Sequence, residues 1–398
     1  MTGFLFSPRV PAGQERANCV SVIDIGPAHL HLNCDSQEFE RIAADPSLLL
    51  SSNRTWQTRP LYALLGWALA KPFRLVAGAN HAGLLPEYAG FVTLNFLLLL
   101  VSVLVFTRIA GARRLLDPLT IFPISLIVVN QVTKAFFWTP HLQMFNVFVP
   151  IASLALFVVI LNKNYSWSWW PAGLLGVALG VGSLAYGAFA MTAVGAAVCI
   201  MAVGADHAAK RELSGRAVRA GLLLLAFLAP TAAWITFVVF RTGSFYSHEI
   251  DHYRQFVWIA DSLYAGGLSA LLRDLATKSG GFADTLCVVM PFSLAAGALA
   301  GLLYVRGRLR EIVRANETLL RSIAVYAIVD VLFFWLMGSY ASRLTWTIVP
   351  AIALLLAVEI QALDQVASDS GRRLLRAASV AATVLYMAYW YLRPGPWS

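Results

Sequence analysis

The sequence predicts an all-α, polytopic integral membrane protein with about ten transmembrane helices and a small helical N-terminal segment on the non-cytoplasmic side. Three observations predict it. Hydrophobic residues make up 59% of the 398 and charged residues 13%, against about 45–50% and about 25% in a soluble domain. That surplus cannot be hidden in one water-soluble core, so lipid must cover much of it. Apolar runs recur near 88–107, 118–137, 143–161, 169–187, 188–204, 220–240, 285–305, 322–339, 345–362 and 377–391. Basic residues alternate between the loops that join these runs.

One set of alternate loops carries 16 Lys and Arg, from Arg108, Arg113, Arg114 and Lys163 through Lys210–Arg219 and Arg306–Arg321 to Arg372, Arg373 and Arg376. The opposite set carries seven: Lys134, Arg241, Arg254, Arg273, Lys278, Arg343 and Arg393. The richer set is therefore read as cytoplasmic. Residues 1–87, the loop 241–284 and the turn around Tyr340 to Thr345 then face the other compartment. The net charge of +9 reflects this orientation, and no nucleic-acid partner is expected. No linker or internal repeat divides the chain, which reads as one transmembrane domain, 88–398, behind the segment 1–87.

Within that segment the first thirty residues read as polar and irregular. Phe39, Ile42 and Ala43 then share one helical face, with Asp35, Glu38 and Arg41 offset from it. Asp45-Pro46 ends this helix, and Pro60 begins another, where its missing N–H costs nothing. Leu61 to Leu69 reads as an amphipathic helix on the membrane surface with Lys71 and Arg74 at the headgroups. The rival reading makes it an eleventh span with a cytoplasmic N-terminus. Residues 1–57 hold no apolar run that could carry them across a membrane. A helix upstream of Met1 is therefore expected, or else the first span draws the segment across. Cys19 and Cys34 share the segment and could pair in an oxidising compartment; two free thiols fit as well. Cys199 and Cys287 lie in apolar runs and read as small core residues.

Few polar residues stand out in the apolar runs. Lys134 and His141 lie near the non-cytoplasmic face. The loop 241–284 holds HEIDH, placing His248 and His252 four residues apart, a spacing that permits two metal ligands on a helix. Acceptor contacts from a surface helix are the simpler expectation for His248. Asp330 sits mid-run, where a carboxylate is costly and faces the protein interior. Glu359 reads as interfacial. Asn53, Asn164 and Asn316 begin glycosylation-type triplets of low specificity. The sequence contains no P-loop, GxSxG, CxxC or dinucleotide-binding fingerprint.

The order of parts resembles the GT-C superfamily of membrane glycosyltransferases, which use polyprenyl-phosphate sugars. Three patches carry the resemblance: Asp35 followed by Phe39, then Arg59-Pro60-Leu61-Tyr62, then SYASRLTWTIVP with Arg343 and Pro350 in the late Arg-then-Pro pattern. The superfamily's acidic pair is here a single Asp followed by Ser36, and the helix that precedes the acidic loop would be the upstream one. The resemblance implies that Asp35 is the catalytic base, with Glu38 as its substitute. Arg59, Lys134 and Arg343 would hold the donor's phosphate, because a guanidinium fork binds two oxygens at once. Tyr62, His141, His248 and Tyr340 would complete the substrate-binding set. The implied partners are a polyprenyl-phosphate sugar donor, a glycan or lipid acceptor and membrane lipids. The implied location is a bacterial inner (plasma) membrane, with the active face periplasmic or extracellular. No organic cofactor is called for, and divalent-metal dependence is left open. Two other functions fit the composition. One is a secondary transporter or flippase for a lipid-linked or amphipathic substrate, resting on Asp330 and Lys134; the other is an assembly protein without catalysis.

Overall fold

A computed structural model describes residues 10, 13, 15, 19–25, 28–51, 57–77, 85–111, 117–162, 168–202 and 210–393. Arg113, Arg114, Lys163, Asn53 and Asn164 lie outside these residues. The chain opens on an antiparallel hairpin, β1 (Val20–Ile25) and β2 (Ala28–Asn33), with Val20 opposite Asn33 and Ile25 opposite Ala28. This corrects the reading of the first thirty residues as irregular. Helices follow: α1 (Ser36–Ala44), α2 (Pro60–Ala77), α3 (Leu85–Ile109), α4 (Ile121–Val128), α5 (Gln131–Phe136), α6 (Phe145–Asn162), α7 (Trp169–Ser183), α8 (Phe189–Ala202) and α9 (Lys210–Thr242). The second half holds α10 (His248–Asp251), α11 (Val257–Leu286), α12 (Met290–Val305), α13 (Leu309–Ala315), α14 (Glu317–Met337), α15 (Ser342–Thr345), α16 (Val349–Val366) and α17 (Asp369–Leu392).

Among the described residues five helices are long and apolar enough to cross a membrane. They are α3, Leu142–Asn162 containing α6, Leu213–Thr242 within α9, α14 and α16. A sixth is added if α11 and α12, bent by 73° at their junction, form one span. These helices fit an all-α membrane protein, and they number fewer than the ten spans expected from the sequence. The run 118–137 is two short helices, because Asn130 interrupts it. Its side chain accepts from the Thr133 N–H and donates to the Leu126 and Ile127 carbonyls, so the broken backbone is satisfied inside the protein. The runs 169–187 and 188–204 give α7 and α8, of 15 and 14 residues. At 1.5 Å per residue these are about 22 Å long, short of a hydrocarbon core of about 30 Å. The loop 241–284 is mostly α11, broken at Gly266 and Gly267, where Gly267 adopts φ 63°.

The alternate ends of the bundle gather as the charge pattern requires. At one end the Leu61 N–H donates to the Leu184 carbonyl in the α7–α8 turn, Trp346 donates to Gln131, and Trp258 donates to the Leu336 carbonyl. At the other, Gln361 donates to the Ala110 carbonyl and Arg376 pairs with Asp364.

Small residues set the closest helix packing. A Cβ on Gly176 or Gly180 of α7 would lie 2.3 Å from the Leu223 or Phe227 carbonyl of α9. The two backbones touch there, as membrane helices do at small-residue stripes. Gly180→Ala should therefore destabilise the protein by about 1–3 kcal/mol. Gly221→Ala, on α9 with open space around it, should be neutral or slightly stabilising. Thermal unfolding of the two variants in detergent checks this; equal melting temperatures would refute the close contact.

Helix α2 begins at Pro60, as read from the sequence. Its contacts with α3 run from the Tyr62 ring on Phe91 to Arg74 on Glu87. Between these contacts the two backbones touch: a Cβ on Gly90 of α3 would lie 2.8 Å from the Gly66 carbonyl and the Ala70 nitrogen of α2. Arg74 also has partners inside the protein. It binds buried Glu87 at 2.7 Å and donates to the Ala43 carbonyl at the end of α1, joining α1, α2 and α3.

Candidate functional site

Asp35 stands where β2 gives way to α1. Phe39, Ile42 and Ala43 are fully buried beneath the helix, as their spacing predicts. Asp45 ends it and accepts from the Ser47 N–H. Asp35 occupies the N-cap position, yet its side chain makes no capping hydrogen bond. Instead Oδ2 faces Nε2 of His141 at 3.7 Å, with the Asp35 carboxylate partly open to solvent and the imidazole buried. Glu38 lies in the first turn of α1, partly exposed.

His141 precedes a single 3₁₀ turn, Leu142–Met144, and its Nδ1 accepts from the Gln143 N–H at 3.3 Å. The neutral ring therefore carries its proton on Nε2, toward Asp35. Burial holds the imidazole pKa below its ordinary 6.5, against the raising effect of the nearby Asp35 carboxylate, and the charges of Arg343 and Arg59 push the same way as burial. Because an unfolded chain takes up this proton first as pH falls, stability from this group is fully present above pH 6.5 and is lost on acidification toward the depressed folded value. His141→Gln should shrink the difference between melting temperatures at pH 7.5 and pH 5. An unchanged difference would show that His141 does not carry it.

A buried polar chain leads onward. Asn146 Nδ2 donates to Gln143 Oε1, and the Tyr186 hydroxyl donates to Asn146 Oδ1. The Arg59 guanidinium lies 5.3 Å from the centre of the Tyr186 ring. Two of its nitrogens bind Glu249 Oε1, at 2.9 and 2.6 Å, and Thr58 donates to the other Glu249 oxygen. The remaining terminal nitrogen, Nη1, is buried without a partner. Burial raises the Glu249 pKa, but Arg59 and these hydrogen bonds outweigh it and hold the carboxyl below the ordinary range. Gln57 adds to the tie by accepting from the Tyr246 N–H.

Arg343, on the α15 turn, closes the cluster. Its guanidinium lies 5.7 Å from the Phe136 ring centre, and that ring is 4.9 Å from the His141 ring. Among the described residues Arg343 has no hydrogen bond and no ion pair, and its charge acts on both His141 and Tyr186. Tyr62 forms the wall, fully buried against Phe39 and Phe91 with an unpartnered hydroxyl. Burial and the charge of Glu40 raise its pKa well above 10, so it stays protonated.

Three expected site residues lie elsewhere. Lys134 Nζ donates to the carbonyls of Trp390 and Arg393, a cation on the unsatisfied, negative end of α17. His248 stacks on His252 at 4.7 Å and meets Tyr246 and Tyr253, while the next residue, Glu249, turns to Arg59. The Tyr340 hydroxyl is taken by the Trp335 carbonyl at 2.7 Å. Tyr340, Asp330 and Thr345 line a void of about 10 Å³, where Tyr326 donates to Asp330. Beside it, sharing Leu286, lies an apolar cavity of about 500 Å³ between α11, α12, α14 and α16. Among the described residues the one group with three metal-type ligands in reach is Cys19, Cys34 and Asp35. Its two sulfurs are bonded to each other, which leaves Asp35 alone.

Glu249, Asn146 and Tyr186 were not singled out as site residues from the sequence. HEIDH marked Glu249 as a charged residue, but its partner lies 190 residues away. Comparison of the chain with protein-family models, curated proteins and solved structures gives no match.

Proposed function

We propose that this chain is a GT-C-like glycosyltransferase that moves a sugar from a polyprenyl-phosphate donor to a glycan or lipid acceptor outside the cytoplasm. In this reading all ten apolar runs cross or enter the membrane, the short ones sheltered by their neighbours, and α2 lies on its surface. The observation that carries the reading is the grouping of Asp35 and His141 with two guanidiniums, those of Arg59 and Arg343, at one end of the bundle.

Asp35 accepts the proton of the acceptor hydroxyl as its oxygen attacks the sugar's anomeric carbon. The bond from that carbon to the phosphate oxygen breaks, and polyprenyl phosphate leaves with the bonding pair. His141 orients the carboxylate through its Nε2–H. Arg59 already has Glu249 as counter-ion, so Arg343 takes the phosphate charge, with Arg59 Nη1 in support. The donor's lipid chain has room in the 500 Å³ apolar cavity. The transporter reading has less support: Asp330 is hydrogen-bonded beside a void with room for about one water, not a path.

The test is transfer itself. Purified protein in lipid, given a panel of labelled polyprenyl-phosphate sugars and envelope extracts, should release polyprenyl phosphate and label an acceptor. Folded protein that turns over no donor in the panel, yet moves labelled lipid between leaflets, would replace this reading with the flippase.

A further inference from the structure

Cys19 and Cys34 form a disulfide at the base of the β1–β2 hairpin, and the Cys34 N–H also donates to the Cys19 carbonyl at 2.9 Å. Asp35 is the next residue. Nothing on its own helix holds its carboxylate, which makes no capping bond. The backbone at Asp35 is fixed from the hairpin side: its N–H donates to the Asn33 side chain at 2.9 Å. Among its contacts with the bundle the hairpin accepts a hydrogen bond from Thr139 at the His31 carbonyl, two residues before His141. Two six-residue strands are marginal as an isolated hairpin in water. Cys19 also sits at φ 51°, in the left-handed region that a non-glycine residue leaves unless its surroundings hold it there. The cross-link and the Cys34 N–H bond to its carbonyl both tie it there, and Cys34 is exposed.

We infer that the Cys19–Cys34 disulfide is a positioning element of the Asp35–His141 pair, and that its reduction by a dithiol separates the pair and turns the site off. In the step, a thiolate of the reductant attacks one sulfur and the Cys19–Cys34 bond breaks. The second thiol of the reductant then displaces the mixed disulfide. Two cysteine thiols result, and the reductant leaves as its own disulfide. The effect on turnover rests on the proposed transferase reading; the effect on structure does not.

The experiment uses the full chain in detergent or lipid, with dithiothreitol as the reductant. Alkylation of the denatured, unreduced protein should find two thiols, Cys199 and Cys287, and four after reduction. Four without reduction would overturn the inference. Amide hydrogen exchange in residues 34–40 should quicken at least tenfold on reduction, with exchange in α6 and α14 unchanged, and reoxidation should restore it. Exchange that stays the same in the reduced protein, or in Cys19→Ser/Cys34→Ser should reduction be incomplete, would also overturn it. If the oxidised protein transfers sugar, reduction should lower kcat at least tenfold and leave the donor KM within twofold, since Arg343 and the apolar cavity are untouched. In Asp35→Asn, reduction should leave the residual rate unchanged. A tenfold loss there would make the disulfide a general scaffold and refute the positioning role. An oxidised protein without transferase activity would sink the transferase reading, and the exchange data would still decide this one.

Discussion

Asp35→Asn is expected to lower turnover by about two to four orders of magnitude, the contribution of a positioned general base. Folding should be nearly unaffected. Asn is as good an N-cap residue as Asp, and the Asp35 side chain makes no capping bond to lose. The amide keeps the shape of the carboxylate beside His141 but cannot take a proton. The binding groups, Arg343 and the apolar cavity, are untouched, so donor KM should change little. The measurement is single-turnover and steady-state transfer from a polyprenyl-phosphate sugar, with melting temperature as the control for folding. Full activity of a normally folded Asp35→Asn would exclude the base. The same variant made at Glu38 should cost far less, because the structure turns Asp35, and not Glu38, toward His141.

Arg343 should give the second large effect. It is a half-buried guanidinium over the Phe136 ring, with no carboxylate to neutralise it among the described residues. Arg343→Met should lower kcat/KM by about two to three orders of magnitude, the usual loss when a donor to a developing oxyanion is removed. Arg343→Lys should recover only part of it, since a point charge cannot bridge two phosphate oxygens. Stability should hardly move. Arg59→Lys is expected to differ in kind: it breaks the pairing with Glu249, so protease sensitivity of residues 244–256 should rise along with any kinetic loss. Wild-type kinetics in Arg343→Met would remove the phosphate role.

Much of the N-terminal helical layout was legible because local chemistry decides it. The buried face of Phe39, Ile42 and Ala43, the stop at Asp45-Pro46 and the start at Pro60 are all present. The hairpin was not read, although Val20–Ile25 and Ala28–Asn33 show partial alternation. Six-residue strands carry a weak signal, and what stabilises this pair is a cross-link and a docking contact with Thr139. Lys134 was read as a phosphate ligand, and the structure gives it helix-end carbonyls as partners. A cation near a membrane face attracts phosphate and helix-end carbonyls alike, and only the position of α17 settles which it meets.

By itself the sequence determined that most of this chain is apolar helix, which loop ends belong together, and that Asp35, Arg59 and Arg343 belong at one end. Those properties follow from composition, periodicity and charge, which act on each segment where it stands. Tertiary structure alone decided that His141 turns its Nε2 to Asp35, that Glu249 neutralises Arg59, and that Arg343 has no counter-ion among the described residues. The physical reason is distance along the chain. Residues 35 and 141, or 59 and 249, meet only once helices far apart in sequence have packed, and a buried ion pair or hydrogen bond is set by that packing, not by any pattern around either residue.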